Sequence, residues 1–473
     1  MPADPYPRPV LDVLAAAGDR PVFEHENRTV SGARMLGLIR RCAAGLRTAG
    51  LGPGDGVAMR LGVTPEAFAA IIAGYVVGAR VVGVRPGLPA DRLHHVLSQD
   101  ITAVVTDQPS GGGDLALGEL LDAPDDGSLV LSGRPDDVAR LIHTSGSTGR
   151  PKACAQTYAA MNAAWFARPP AWPPAIRELA SRLQRYLVFG TLSSLVMYEY
   201  GILTLAAGGT MAAADPSSLA DAIVKHRATA SVITVPRLYK LVAAQRDTPS
   251  DLSTLRALVV SGSPIPAARL REAQEVLGPV VFHGYGQTET GSISLATPYD
   301  PPPSLGVPPD AIDIEIRNPS GETGELYVRT PTQAIGYWGA PEETAEVFVD
   351  GWVRTRDLGH FDADGRLYLV GRTRDVVIVN AELHYIGPIE RTLATSPDVA
   401  EAYVTAAPDE EKGEAPHAFI VPAPGRTPDF GALRDLVQDR LGPACVPATI
   451  TVIDEVPTAP SGKPDKRLLK PPS

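Results

Sequence analysis

Cysteine is scarce: Cys42, Cys154 and Cys445 are the only three in 473 residues. They lie far apart and in no metal-like spacing, which argues against a disulfide framework or a zinc centre and for free thiols. No run of about 18 apolar residues occurs, so an ordinary membrane-spanning helix is not expected. Residues 1–9 are rich in proline and carry none of the apolar stretch of a secretory signal, which makes a cytoplasmic location the expectation. Positive charge is also in deficit, 43 Lys and Arg against 54 Asp and Glu for a net charge of -11. That balance speaks against a general binder of nucleic acid or membrane surface, while leaving room for local positive sites that hold a phosphate ligand. Hydrophobic residues, by contrast, make up 44% of the chain. A chain of this length can bury substantial cores and is too long for one ordinary domain.

From about residue 28 to 310, short β-branched runs alternate with longer amphipathic stretches, the pattern of strand and helix units in parallel sheets. Expected strands include 79–84, 103–106, 231–235, 258–260 and 280–282. Several end in glycine, serine or threonine, and ligands of open α/β sheets gather at the carboxyl ends of strands. After residue 309 the texture changes to short strands with turn signals at Asp350-Gly351 and Asp364-Gly365, which predict hairpins or a small barrel. The last hundred or so residues read as another unit, with a strand over 375–379, a helix beginning near Pro388, strands near Ala402 and Ala418, and a polar tail. Segments 108–113, 168–174 and 298–309 read as loops.

The most informative segment is Leu141-Ile142-His143-Thr144-Ser145-Gly146-Ser147-Thr148-Gly149-Arg150-Pro151-Lys152. An apolar strand runs into hydroxyl residues and glycines, then a lysine. Glycines let backbone amides approach a phosphate, hydroxyls donate to it, and Lys152 adds a compact positive charge. The spacing is wrong for a P-loop, which needs lysine directly after its second glycine. The string His283-Gly284-Tyr285-Gly286-Gln287-Thr288-Glu289-Thr290-Gly291 is not a dinucleotide fingerprint, because Glu289 stands where the third glycine belongs. A carboxylate there can hold a magnesium ion bound to phosphate oxygens.

The loop ending in Lys152 resembles the phosphate-binding loop of the adenylate-forming superfamily, which includes acyl-CoA and aryl-CoA synthetases, luciferases and the adenylation domains of peptide synthetases. Further motifs appear in family order, so the resemblance covers nearly the whole chain. It implies an α/β fold: a large N-terminal AMP-binding domain of parallel sheets with a small β-barrel-like region, residues 1–373, and a smaller mobile α+β C-terminal domain, residues 374–473. It implies ATP and magnesium as cofactors, with Thr144, Ser145, Gly146, Ser147, Thr148, Gly149, Lys152, Ser263, Gly284, Tyr285 and Gly286 about the nucleotide. It implies that Thr288 contacts the α-phosphate, Glu289 the metal and Tyr285 the adenine, and that Lys463, in a Ser-Gly-Lys turn, is the catalytic lysine. Asp357 has the chemistry to accept from two ribose hydroxyls and Arg372 to donate to ribose or phosphate. Arg374 corresponds to the residue about which the C-terminal domain rotates. Gly336-Tyr337-Trp338 matches a family stretch read as structural.

A carboxylate is a poor electrophile, and conversion to a mixed anhydride supplies AMP as a leaving group. The acid pocket is assigned to Phe189, Gly190, Ser193, Ser194 and His283. Gly190 occupies the segment where amino-acid-activating relatives carry an aspartate for the substrate ammonium, so an α-amino acid would find no counterion there. Small residues favour a flat acid, aryl or aryl-propenoic. The expected partners are that acid and an acceptor thiol, of CoA or a carrier protein, with no nucleic acid and no membrane. The chain departs from the family at Ala153, at Ile378 in place of lysine, and at Ala381 in place of the glycine that approaches the thiol tunnel. These departures keep a non-thiol second step in view, either amide ligation or ATP-dependent diazotisation in which nitrite is activated for an aryl amine.

Overall fold

Apolar β-branched runs form two packed parallel-rich sheets. A computed structural model of the protein describes residues 5–85, 87–107, 114–125, 127–143, 152–213, 218–380, 382–409, 411–458 and 464–471. One sheet has eight strands in the order Gly291–Ala296, Val281–Gln287, Ala257–Ser261, Ala230–Thr234, Arg185–Val188, Thr210–Ala213, Pro21–His25, Arg28–Ser31. Its inner strands are parallel and its two outer strands antiparallel. The other has seven, in the order Gly336–Tyr337, Ala153–Thr157, Val138–His143, Arg80–Gly83, Gly56–Arg60, Ala103–Thr106, Leu115–Ala116. Helices Pro65–Val76 and Leu195–Ala206 are apolar on nearly every face and almost wholly buried, as helices enclosed on all sides must be. The first is started by Thr64, whose side chain accepts from Ala67 N, and by Pro65 in the first turn.

The expected strands are present within five residues at their ends, 103–106 matching Ala103–Thr106 and the largest difference being at 280–282, where the observed strand Val281–Gln287 carries on through the glycine motif. The β region after residue 309 is a five-stranded antiparallel sheet of Asp313–Ser320, Thr323–Arg329, Phe348–Val349, Trp352–Phe361 and Leu367–Arg372. At the Asp350-Gly351 turn both residues have positive φ, 52° and 79°, the conformation that suits a two-residue hairpin. The last sheet holds Val376–Val379, Glu382–Tyr385, Val399–Asp409, Gly413–Pro422 and Thr449–Val452, with helices Ile386–Leu393 and Phe430–Leu441 sharing its core.

Two loop or tail expectations are corrected. Segment 168–174 contains a short 3-10 turn, Pro169–Ala171, and ends in the first residue of helix Pro174–Ala180, because proline suits a first helical turn. The polar tail is packed: Leu469 is buried with Val456 and Phe419, and Lys466 Nζ lies 2.6 Å from Glu390 and 3.7 Å from Asp375. Alternating charged and apolar residues concealed that anchoring. Expected loop 108–113 lies outside the described residues. No helix among the described residues is long and apolar enough to cross a membrane.

Candidate nucleotide and acid site

In the eight-stranded sheet, strand Arg185–Val188 leads into Phe189-Gly190, Ala257–Ser261 into Gly262-Ser263, and Val281–Gln287 itself carries the glycine motif. Strand Val281–Gln287 places His283 and Tyr285 on one face by its two-residue period, and its register shifts between Tyr285 and Gly286 before Gln287. It then turns through Thr288 and Glu289 into antiparallel Gly291–Ala296. A Cβ on Gly286 would sit 2.4 Å from the Gly291 carbonyl oxygen, so only glycine lets the two strands close there.

Asp357 is the hub of the described site. It is 3% exposed and sits on the long strand Trp352–Phe361, in cross-strand register with Arg372. Its Oδ2 accepts from the Tyr285 hydroxyl at 2.7 Å and from Gln287 Nε2 at 2.7 Å, and its Oδ1 from Arg372 Nε at 2.8 Å. Asp357 raises the pKa of Arg372, and burial followed by Asp357 raises that of Tyr285, so both remain donors at neutral pH. A carboxylate offers about four acceptor positions, so a ribose hydroxyl would take the remaining one or share with Arg372. Asp357 lies mid-strand, while Arg372 closes its strand.

On the neighbouring turn Glu289 Oε1 accepts from the Tyr337 hydroxyl at 2.6 Å. Burial, then Glu289, raise the Tyr337 pKa and keep it the donor. The Lys152 ammonium stands 5.2 Å from the centroid of the Tyr337 ring, within cation–π range. Tyr337 therefore joins the arm leaving the glycine-rich loop to the candidate metal carboxylate. By sequence alone Gly336-Tyr337-Trp338 carries no assigned chemistry, and Gln287 goes unassigned although it stands inside the glycine motif. Among the described residues no cluster of three or more His, Cys, Asp or Glu could hold a metal by itself. That donor set suits magnesium, which binds through one or two carboxylates together with substrate phosphates and water.

The acid-pocket candidates fall into two groups. His283 is 3% exposed, with Nε2 facing the Ser263 carbonyl at 3.4 Å, and burial lowers its pKa to about 4, so it is neutral at pH 7. A Cβ on nearby Gly284 would meet nothing closer than 3.6 Å, which leaves space beside the strand. In the other group, Ser193 shares a hydrogen bond of 2.9 Å with Thr191, and Ser194 precedes helix Leu195–Ala206. The three atoms nearest a Cβ on Gly190 all belong to Met197, with Cε at 3.2 Å. Phe189 has a neighbour that the sequence did not reveal: Arg237 donates to its carbonyl at 2.9 Å and lies 4.8 Å over its ring. Because the atoms nearest a side chain at Gly190 belong to a flexible thioether, Gly190→Phe is expected to raise KM for bulky aryl acids about 10-fold or more while KM for ATP stays within about 2-fold. Parallel kinetics over acids of graded width check this, and unchanged acid selectivity would place Gly190 in ordinary packing.

Thr144, Ser145, Gly146, Ser147, Thr148, Gly149, Lys463 and Ala381 lie outside the described residues. The flanks are described. Strands Val138–His143 and Ala153–Thr157, which flank the glycine-rich segment in sequence, pair antiparallel, with His143 opposite Ala153. Thr458 bridges to Pro464, and Asp465 N donates to the Pro457 carbonyl at 2.7 Å, joining the ends of the segment that carries Lys463. Arg374 stands 3.9 Å from Glu346. Ile378 is 46% exposed, and His384, half-buried, rests 3.6 Å from Cys445 Sγ.

With this geometry the chain can be compared with known proteins. The family described as AMP-binding enzyme matches residues 12–338, and the C-terminal domain of AMP-binding enzymes matches residues 388–463. A feruloyl-CoA synthase from an Amycolatopsis species is 33% identical over 463 residues, 93% of each chain. The structure of the amide bond synthetase McbA from Marinactinospora thermotolerans superposes with a TM-score of 0.84 at 32% identity, over 97% of this chain and 98% of that one. O-succinylbenzoate coenzyme A synthetase from Bacillus subtilis, solved with ATP and a magnesium ion, gives 0.80 at 26% identity, over 98% and 100%. The protein belongs to the AMP-binding enzyme family. It is a ligase of the adenylate-forming type, built on an α/β fold with a large N-terminal and a smaller C-terminal part.

Proposed function

We propose that the protein uses ATP and magnesium to convert a small aryl or aryl-propenoic acid to its acyl-adenylate, then passes the acyl group to a thiol of CoA or of a carrier protein. The division of labour falls between residues 1–373, which bind nucleotide and acid, and residues 374–473, which bring Lys463. The observation that carries the reading is the buried Asp357 hub with Tyr285, Gln287 and Arg372, one turn of chain from Glu289 and its partner Tyr337. Tyr285 and Asp357 hold the nucleoside end, and Thr144 to Gly149, Lys152 and Thr288 hold the phosphates. When bound through Glu289, magnesium would supply charge neutralisation at the phosphate oxygens. One carboxylate oxygen of the acid attacks the α-phosphorus in line, an O–P bond forms, the bond to the β-phosphate oxygen breaks, and pyrophosphate departs. Lys463 stabilises the charge that develops on the α-phosphate. The small residues Gly190, Ser193, Ser194, Ser263 and Gly284, with neutral His283, suit a planar acid.

The decisive assay is pyrophosphate release over a panel of acids, each with CoA, an amine, nitrite or no acceptor. Release dependent on aryl acids supports the reading, and release dependent only on aliphatic or amino acids overturns the substrate class.

A second reading, amide formation, is favoured by Ile378 and Ala381 in the segment that the resemblance brings toward the acceptor, and by the likeness to an amide bond synthetase. The resemblance implies that position 381 borders the path of a thiol-bearing arm and is glycine in the family, so alanine there adds a methyl group to be tested. Ala381→Gly is expected to speed transfer from preformed adenylate to CoA several-fold, roughly 1 kcal/mol of barrier, in single-turnover measurements. Fast, saturable CoA transfer by the unaltered protein would instead return the chain to the ordinary acyl-CoA synthetases.

A further inference from the structure

Behind the site runs a buried polar chain that the adenylation chemistry does not itself use. Arg140 and Gln156 face each other across the two strands flanking the glycine-rich loop, in direct register. Arg140 Nε donates to Gln156 Oε1 at 2.5 Å, and Arg140 Nη2 to Glu199 Oε1 at 2.7 Å. Glu199 lies one turn into the helix that opens after Ser193 and Ser194. Gln156 Nε2 donates onward to the Thr332 carbonyl at 2.5 Å. The Thr332 and Thr330 hydroxyls both donate to the carbonyl of Thr290, at 3.1 and 2.8 Å, and Ala334 N donates to that of Glu289 at 2.9 Å. Arg140, Gln156, Thr290 and Thr330 are each at most 6% exposed.

Buried ion pairs commonly add little net stability over apolar side chains of the same volume, so the contribution of this chain is geometric. Hydrogen bonds fix direction and register where apolar contact would allow sliding. A Cβ on Gly291 would stand 2.8 Å from Thr332 Oγ1, so glycine is what lets the strap approach the turn this closely. Segment 330–338 continues along strand Ala153–Thr157, with Ile335 N on the Ala155 carbonyl and Trp338 N on that of Ala153, both at 2.8 Å.

We propose that Gln156, oriented by the Arg140–Glu199 pair, is a positioning residue that locks the outgoing arm of the phosphate loop to the turn bearing Thr288 and Glu289 through Thr332. The proposal rests on the assignment of Glu289 to magnesium. Its effect is on the distance between the phosphates and the carboxylate, and hence on the part of ATP affinity that depends on magnesium.

The test compares ATP binding by calorimetry, acid omitted, in magnesium and in EDTA, for wild type, Gln156→Glu, Thr332→Val and Glu289→Gln, with AMP binding and thermal stability measured alongside. Gln156→Glu keeps the acceptor for Arg140 but replaces the donor to Thr332 with a repelling oxygen. Thr332→Val keeps shape and loses one link to Thr290. Both are expected to lose about 10-fold of the magnesium-dependent gain in ATP affinity, in the range typical of residues supporting a metal ligand, with AMP affinity retained. If Glu289→Gln removes the magnesium-dependent gain while the other two retain it, the positioning role is overturned. If Glu289→Gln itself leaves the gain intact, the magnesium assignment fails and the proposal with it. Equal losses of ATP and AMP affinity in Gln156→Glu and Thr332→Val would show a general structural effect and also overturn it.

Discussion

Lys463→Ala is expected to lower acyl-adenylate formation about 10²- to 10³-fold, the size of losing one strong charge contact made to the transition state. The fold should survive the change. The two ends of the segment carrying Lys463 are fastened to each other by the Thr458–Pro464 bridge and the bond from Asp465 N to Pro457. Beyond that bridge the chain is anchored by Lys466 on Glu390 and by buried Leu469, and neither anchor depends on the Lys463 side chain. Upstream, Lys240 and Glu455 pair at 3.5 Å, but both are about three-quarters exposed, so that contact contributes little. The check is single-turnover formation of acyl-AMP with matched thermal melting curves. Unchanged acyl-AMP formation would remove Lys463 from the mechanism. If the C-terminal domain rotates about Arg374 between half-reactions, transfer from preformed adenylate should proceed in this variant at close to its normal rate.

Local pattern made the parallel strands legible, because buried β-branched runs between glycines leave few alternatives. The same logic broke at Val281–Gln287. Glycines at 284 and 286 sit inside a strand that runs five residues past the expected 280–282, and there Gly286 permits close approach of the Gly291 backbone. Motif residues were visible as residue types, but their partners were not. Tyr285 and Gln287 meet Asp357 some 70 positions away, and only the packing of the five-stranded sheet against the strand of the glycine motif reveals that. The Asp357–Arg372 contact is more local, since one hairpin aligns the two, but a strand centre cannot be told from a strand end by composition. Tyr337 was hidden for another reason. An aromatic beside glycine most often packs, and its hydroxyl acquires meaning only from Glu289, 48 residues earlier, and from Lys152 above its ring. The link from Gln156 to Thr332 spans 176 positions, beyond any periodicity.

Glu289 and Asp357 should divide the kinetics between them. Glu289→Gln keeps an oxygen for the Tyr337 hydroxyl, so the turn stays in place and the change isolates one unit of charge at the phosphates. The expected result is a fall in kcat of about 10²-fold with a higher magnesium requirement, because the lost interaction is made most strongly as charge develops on the departing pyrophosphate. Asp357→Asn acts at the other end of the nucleotide. It keeps the volume of a fully packed site but weakens the acceptors for Tyr285 and Gln287, and turns an amide or a poorer oxygen toward Arg372. Losing a charged hydrogen bond of about 1.5 to 3 kcal/mol corresponds to a rise of roughly 10- to 150-fold in KM for ATP, with kcat much less affected. The buried donors left facing an amide also predict a lower melting temperature for Asp357→Asn and little change for Glu289→Gln, whose only described side-chain partner is retained. Steady-state kinetics over ATP and magnesium, run beside thermal melts, separate the two. Indistinguishable kinetic profiles would mean that the two carboxylates act as one unit, and would remove the assignment of metal to the turn and ribose to the strand.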